Sequence, residues 1–348
     1  MLKLGILTFH RGYNCGAFLQ ALYLSRVLSS LGVEVKIINY ESRKSKKNEI
    51  KHLFRTKNPK YLFQNIIKFL KFHSARKQFV LTKFSTNLED ILREEQFDAV
   101  IFGSDEIWNY QNAVSGLDLN FFGSLSFDVP KIAYAVSFGD VRKEKPLNRD
   151  IKDRLLQFKN ISVRDNNSKE ILTNNNIGSV VVSDPTMILE KKINNHISRK
   201  NKFILVYATF LSSEIVKEIK KFARRKSLKI LCICYHVPGL SCNLGIGPFD
   251  FEYLFENAEY ILTNTLHGTL FSIRNKKKFC VVFNEYRRNK LENIIADYDI
   301  EYLTDENFSN LETMLEREIN YELIFSRVAK NRDLSIRFLK DALADVAK

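Results

Sequence analysis

The segment Ile261-Leu262-Thr263-Asn264-Thr265-Leu266-His267-Gly268-Thr269-Leu270-Phe271-Ser272 passes from an apolar, β-branched run into residues with helical spacing. It predicts a buried strand that turns directly into a helix, the repeating joint of an α/β protein. The same joint suits an anionic ligand, because a helix start presents N–H groups without intrahelical acceptors and the positive end of the helix dipole. His267 brings a group that exchanges protons near neutral pH, and Gly268 allows a ligand close to the backbone.

Outward from this segment the alternation repeats. Strands are expected at Lys3–Thr8, Glu34–Asn39, Ala99–Phe102, Lys131–Val136, Asn160–Val163 and Ser179–Val182, with the clearest helix at Ala17–Leu31. A second series follows at Phe203–Tyr207, Lys229–Ile233, Tyr260–Thr263 and Phe279–Phe283. Between the two series lies a polar, basic stretch, Glu190–Lys202, which sets the expected boundary. The chain of 348 residues exceeds one ordinary core, so two lobes with a cleft between them are expected. Residues 1–190 form the first, 200–320 the second, and 321–348 a closing helix that packs back on the first.

Lys and Arg number 54 against 40 Asp and Glu, a net charge of +14 that favours polyanions: nucleic acid, anionic lipid or phosphorylated substrates. No nucleic-acid readout motif is present, so no nucleic-acid partner is expected. Residues 42–83 concentrate the charge, with thirteen Lys and Arg against the single Glu49. Tyr61–Phe79 sets Leu62, Phe63, Ile66, Ile67 and Leu70 among them, a basic amphipathic helix. It reads either as a core-packed helix with a basic solvated face or as a docking element for a membrane surface or a lipid diphosphate.

Five cysteines without framework spacing fit reduced thiols. Cys232, Cys234 and Cys242 are the one conceivable metal cluster, but the apolar run Ile230–Tyr235 directs them into a sheet, and no metal is expected. The N-terminus has no signal-peptide pattern and no run is long enough to span a bilayer. The expected location is the cytoplasm, with any membrane contact peripheral and at the inner face.

In open α/β sheets ligands bind beyond the carboxyl ends of the strands. Four exits carry unusual polar residues. After the first strand, Thr8-Phe9-His10-Arg11-Gly12-Tyr13-Asn14-Cys15-Gly16 offers Asn14 and Gly16 for a backbone cradle and His10 and Arg11 for charge, unless it is a simple tight turn. After the third, Gly103-Ser104-Asp105-Glu106-Ile107-Trp108 offers Asp105 as a base or sugar ligand, and Trp108 as a stacking platform or a core residue. Arg164 follows Ile161-Ser162-Val163, placed for a carboxylate or phosphate, or for an internal ion pair with Asp165 or Asp184. The His267 joint is the fourth, where the alternative is a structural histidine.

Thr8-Phe9-His10 with Asn14–Ala21, Gly103–Asn109, Ala133–Gly139, Ser162-Val163-Arg164, Asp184-Pro185-Thr186 and Thr263–Gly268 together resemble the polysaccharide pyruvyl transferase family. The resemblance is ordered and runs over roughly residues 4 to 285. It implies a GT-B-like architecture of two Rossmann-like lobes with parallel sheets. It also implies transfer of pyruvate from phosphoenolpyruvate to two sugar hydroxyls as a cyclic ketal, with loss of phosphate and no organic cofactor. Family members act in capsule, exopolysaccharide and cell-wall polymer synthesis, often on lipid-linked or polymeric saccharides. The family's catalytic histidine corresponds to His267.

One departure stands out, since branches of the family place arginine two positions before that histidine and this chain has Thr265. Donor binding is then expected from Arg164, Arg274, Lys276–Lys278 or the helix start itself, with Thr265, Gly268 and Thr269 lining it. His267 is the expected acid and Asp105 the expected base, with His10, Asn14, Gly16 and Trp108 on the acceptor side. The alternatives are a nucleotide-sugar glycosyltransferase of the same architecture and a basic protein that binds anionic membrane or nucleic acid.

Overall fold

A computed structural model describes residues 1–125, 128–144, 146–189, 202–282, 288–305 and 311–347. The chain forms two compact units. The first comprises Met1–Arg55, Arg76–Leu189 and Ala329–Lys348; the second comprises Thr56–Ala75 and Glu190–Val328.

The first unit holds β1 (Lys3–Leu7), α1 (Cys15–Ser30), β2 (Glu34–Ile37) and α2 (Arg43–Leu53). The chain then makes α3 (Pro59–Ala75), which groups with the second unit, and returns for α4 (Leu88–Glu95) and β3 (Ala99–Asp105). There follow β4 (Lys131–Val136), α5 (Arg149–Leu155), β5 (Asn160–Val163), α6 (Asn166–Asn174) and β6 (Val180–Val181). The six strands form one parallel sheet in the order β2-β1-β3-β4-β5-β6. Burial of every β4 residue, and of β3 up to Ser104, explains why these strands read as continuous apolar runs.

The second unit continues with β7 (Phe203–Tyr207), α7 (Ser213–Arg225), β8 (Lys229–Ile233), β9 (Cys242–Asn243), α8 (Pro248–Asn257) and β10 (Tyr260–Thr263). It then has α9 (Leu266–Arg274), β11 (Lys278–Val282), α10 (Arg288–Tyr298), β12 (Thr304–Asp305) and α11 (Leu311–Glu316). Its sheet is also parallel, in the order β12-β11-β10-β7-β8-β9. Helix α7 shows how the layers form: Ile215, Val216, Ile219, Phe222 and Ala223 are buried along one stripe while its lysines face water. The last helix, α12 (Tyr321–Val346), lends its start to the second unit and the rest to the first. In the first unit, Leu339, Ala342 and Leu343 of α12 are buried, Ser335 Oγ accepts from Ser183 N at 2.9 Å, and Phe338 meets the Tyr134 ring.

Two strands, β9 and β12, were not expected. Each is a two-residue edge strand, too short to show a period. Of the expected elements, Phe283 and residues 190–201 of the expected boundary lie outside the described residues. The basic segment 42–83, expected as part of the first lobe, divides: α2 belongs to the first unit and α3 to the second. The physical reason is local, since α3 packs along α8 through the Lys71–Asp250 ion pair at 2.8 Å, and Gln64 Oε1 accepts from Leu244 N at 3.0 Å.

Candidate active site

Counted within its own unit, the second sheet has the order 3-2-1-4-5-6, so the strand sequence reverses between β7 and β10. That switch point is where open α/β sheets form a ligand crevice. The His267 joint lies on it. Thr265 is the N-cap of α9, its Oγ1 accepting from Gly268 N at 3.0 Å. Thr263 Oγ1 donates to Tyr207 O across the switch at 2.7 Å and lies 3.0 Å from Thr265 Oγ1. Buried Asn264 takes Thr209 N on its Oδ1 at 3.0 Å and donates from Nδ2 to Phe210 O at 2.8 Å, binding the β7 and β10 loops together. Half-buried His267 is thereby presented from the first turn of a helix held by three polar side chains.

This geometry revises several expected roles. Gly268 was expected to admit a ligand. A Cβ there would instead lie 2.0 Å from Thr263 Oγ1 and 2.7 Å from Thr265 Oγ1, so glycine makes room for the capping hydroxyls. Thr265 and Thr269 are buried, with Thr265 spent on the cap and Thr269 Oγ1 donating to Thr265 O at 3.1 Å. Arg274 is the last residue of α9, about 12 Å along the axis from its start at about 1.5 Å per residue. Lys276–Lys278 lie farther along the chain.

In the first unit the order reverses between β1 and β3, so that sheet's own switch point lies at the exits of those two strands. Thr8 Oγ1 donates to Ser104 O at 2.7 Å, and Gln20 Nε2 donates to Thr8 Oγ1 at 3.2 Å. Asp105 closes β3 at φ 94°, a left-handed conformation that costs a non-glycine residue about 1–3 kcal/mol. Arg164 holds it there: Nη2 lies 3.2 Å from Asp105 Oδ1 and 3.7 Å from Glu106 Oε1, and Nη1 lies 3.2 Å from Asp184 Oδ2. The Arg164 side chain is only 5% exposed. Burial opposes its charge, but the fields of Asp105, Asp184, Glu106 and Asp165 outweigh that and hold its pKa above the ordinary value. One cation among this many carboxylates is no receptor for another anion. The internal ion-pair alternative therefore replaces Arg164 as donor ligand, with Asp105 as a partner besides the anticipated Asp184.

Trp108 is 0% exposed, its indole N–H donating to Phe121 O at 2.9 Å among Phe122, Phe138 and Phe158, so it is a core residue and offers no face to a sugar. His10 is also buried, with Nδ1 3.1 Å from Thr8 O and Nε2 3.2 Å from Asn39 Oδ1, and burial lowers its pKa to about 4. It braces the loop rather than facing an acceptor. Exposed Asn14 caps α1, accepting from Ala17 N at 3.2 Å, and Gly16 is buried in the first turn. Arg76 went unrecognised in the sequence. Its guanidinium stands over the Tyr13 ring at 5.2 Å and donates to Arg11 O, while Arg11 pairs with Glu41 at 3.0 Å. Sixty-odd residues separate the two arginines in sequence, so no local motif could have joined them.

A model of the polysaccharide pyruvyl transferase family matches residues 14–286, most of the chain and every exit just described except the start of the β1 loop. The chain belongs to that family. As a polysaccharide pyruvyl transferase it is a transferase enzyme, and the His267 joint falls inside the matched region. No curated protein matches its sequence at a significant level. Among solved structures it is similar to S. aureus MnaA in a co-structure with UDP, at 14% identity and TM-score 0.51 over 100% of this chain and 98% of that one. It is also similar to UDP-N-acetylglucosamine 2-epimerase from Rickettsia bellii, at 11% identity and TM-score 0.53, with 100% and 97% covered. A further UDP-N-acetylglucosamine 2-epimerase gives TM-score 0.55 at 11% identity, with 99% and 95% covered. At such identities the likeness is one of fold, and this transferase has the GT-B fold.

Proposed function

We propose that the enzyme moves pyruvate from phosphoenolpyruvate onto two hydroxyls of a saccharide as a cyclic ketal, in the synthesis of a bacterial surface polysaccharide. The observation that carries this reading is the family match spanning a histidine in the first turn of a helix at the β7/β10 switch point. Phosphoenolpyruvate is a compact dianion or trianion, and a helix start at a switch point attracts such charge without a cationic side chain. In this reading the helix start and His267 hold the donor where this chain has Thr265 in place of arginine.

The reaction needs three proton movements. The donor's C3 methylene gains a proton, which leaves C2 electron-poor; one sugar hydroxyl attacks C2 and loses its proton; the second hydroxyl then bonds to C2 as the C2–O bond to phosphate breaks, its proton passing to the departing phosphate or to solvent as the ring closes. His267 is assigned the proton delivery to C3. Asp105 is the candidate base, its carboxylate 3.2 Å from Arg164 Nη2. Each positioned acid or base contributes about 10²- to 10⁴-fold. No resident cofactor enters any step.

Phosphate release from phosphoenolpyruvate, measured across a panel of saccharides, tests the proposal. Release should require a suitable saccharide and fall about 10²- to 10⁴-fold in His267→Ala with the fold intact. Strong thermal stabilisation by UDP-sugars and none by phosphoenolpyruvate would instead identify a nucleotide-sugar enzyme.

A further inference from the structure

Helix α3 buries one side and leaves an apolar stripe on the other. Asn65, Phe72 and Ala75 are buried, Tyr61 Oη lies 3.0 Å from His236 Nδ1, and Lys71 pairs with Asp250. Yet Leu62, Phe63, Ile66 and Leu70 are 39%, 64%, 44% and 58% exposed. At about 100° per residue these four fall in a single wedge roughly 100° wide. Exposed apolar residues are ordinary when scattered; four aligned on one helix are not. Neighbouring α8 adds exposed Phe249 and Tyr253.

We infer that this face of α3 docks on the surface of an anionic lipid bilayer. Charge selects that occupant. Helix α3 contains Lys60, Lys68 and Lys71 and no acidic residue, exposed Lys57 lies two residues before its start, and residues 42–83 around it carry thirteen Lys and Arg against the single Glu49. A stripe of Leu, Ile and Phe beside lysines is the makeup of a helix lying in a membrane interface, where the rings enter the acyl boundary and the ammonium groups meet headgroup phosphates. A second copy would instead bring two basic helices together, in a chain of net charge +14. The inference is independent of the reaction chemistry, although docking would hold the enzyme where lipid-carried acceptors reside.

The test uses the whole chain and sedimentation with vesicles of phosphatidylcholine, with and without phosphatidylglycerol. Binding should require phosphatidylglycerol, weaken with salt, and survive inorganic phosphate at the same total phosphate. Phe63→Gln with Leu70→Gln should weaken it by at least about tenfold, and Lys57→Glu with Lys60→Glu should weaken it and flatten its dependence on phosphatidylglycerol content. Both variants change exposed side chains, and an unchanged melting temperature will show that they fold. Wild-type affinity in the Phe63/Leu70 variant would overturn the inference, as would equal binding to pure phosphatidylcholine. So would displacement by inorganic phosphate, or a dimer in light scattering that Phe63→Gln dissociates.

Discussion

Substituting Gly268 by alanine tests the packing of the His267 joint most directly. The added methyl would meet Thr263 Oγ1 at 2.0 Å, Thr265 Oγ1 at 2.7 Å and Thr263 Cβ at 2.8 Å. Neither hydroxyl can swing away cheaply, because Thr263 Oγ1 is bonded to Tyr207 O and Thr265 Oγ1 caps the helix. Loss of the cap costs about 0.5–2 kcal/mol, and forcing a methyl into a filled site costs about 1–3 kcal/mol. Alanine's helix propensity returns about 1 kcal/mol, which leaves Gly268→Ala about 0.5–4 kcal/mol less stable. Urea titration should show a lower midpoint at unchanged slope. Because the strain falls on the turn that carries His267, turnover should also drop, by about 10²-fold for a displacement of about 1 Å. A variant with the wild-type midpoint and wild-type turnover would refute both the packing of Gly268 and the dependence of the histidine on it.

Arg164→Met should cost about 3–5 kcal/mol, because it leaves Asp105 and Asp184 buried without their cation; a stable variant with only a raised donor KM would restore Arg164 to the donor site. Trp108→Ala should lose about 3–5 kcal/mol, whereas Trp108→Phe, if it folds, should keep the acceptor KM of the wild type. For His10 the folded pKa of about 4 lies below the unfolded value of 6.5, so protons bind the unfolded chain preferentially between these limits. Its contribution is therefore neutral above about pH 6.5 and increasingly destabilising as pH falls to about 4, reaching about 3 kcal/mol. Denaturation across that range should show the slope in the wild type and its reduction in His10→Asn.

The strands were legible because parallel strands buried on both faces must be apolar throughout, which is why Ala99–Phe102 and Tyr260–Thr263 read correctly as strands. The turn from strand to helix that carries His267 was legible because cap, histidine and glycine are adjacent in sequence. What misled were side chains whose roles depend on distant partners. Trp108 looked available because its loop follows a strand, but Phe121 and Phe158 enclose it from elsewhere in the chain. Arg164 looked like a ligand because its balance of carboxylates is set by three separate exits, and α3 looked like part of the first lobe because its partner α8 comes about 180 residues later.

The far end of α12 has a consequence for biosynthesis. The first core is not closed until Leu339, Ala342 and Leu343 arrive, yet its strands emerge from the ribosome before the second unit is made. Throughout synthesis of that second unit, the nascent chain carries an unfinished sheet protein with apolar surface awaiting its cover, the condition in which chains aggregate or engage chaperones. A chain stalled before residue 329 would own every strand of both sheets and still be unable to complete the earlier one.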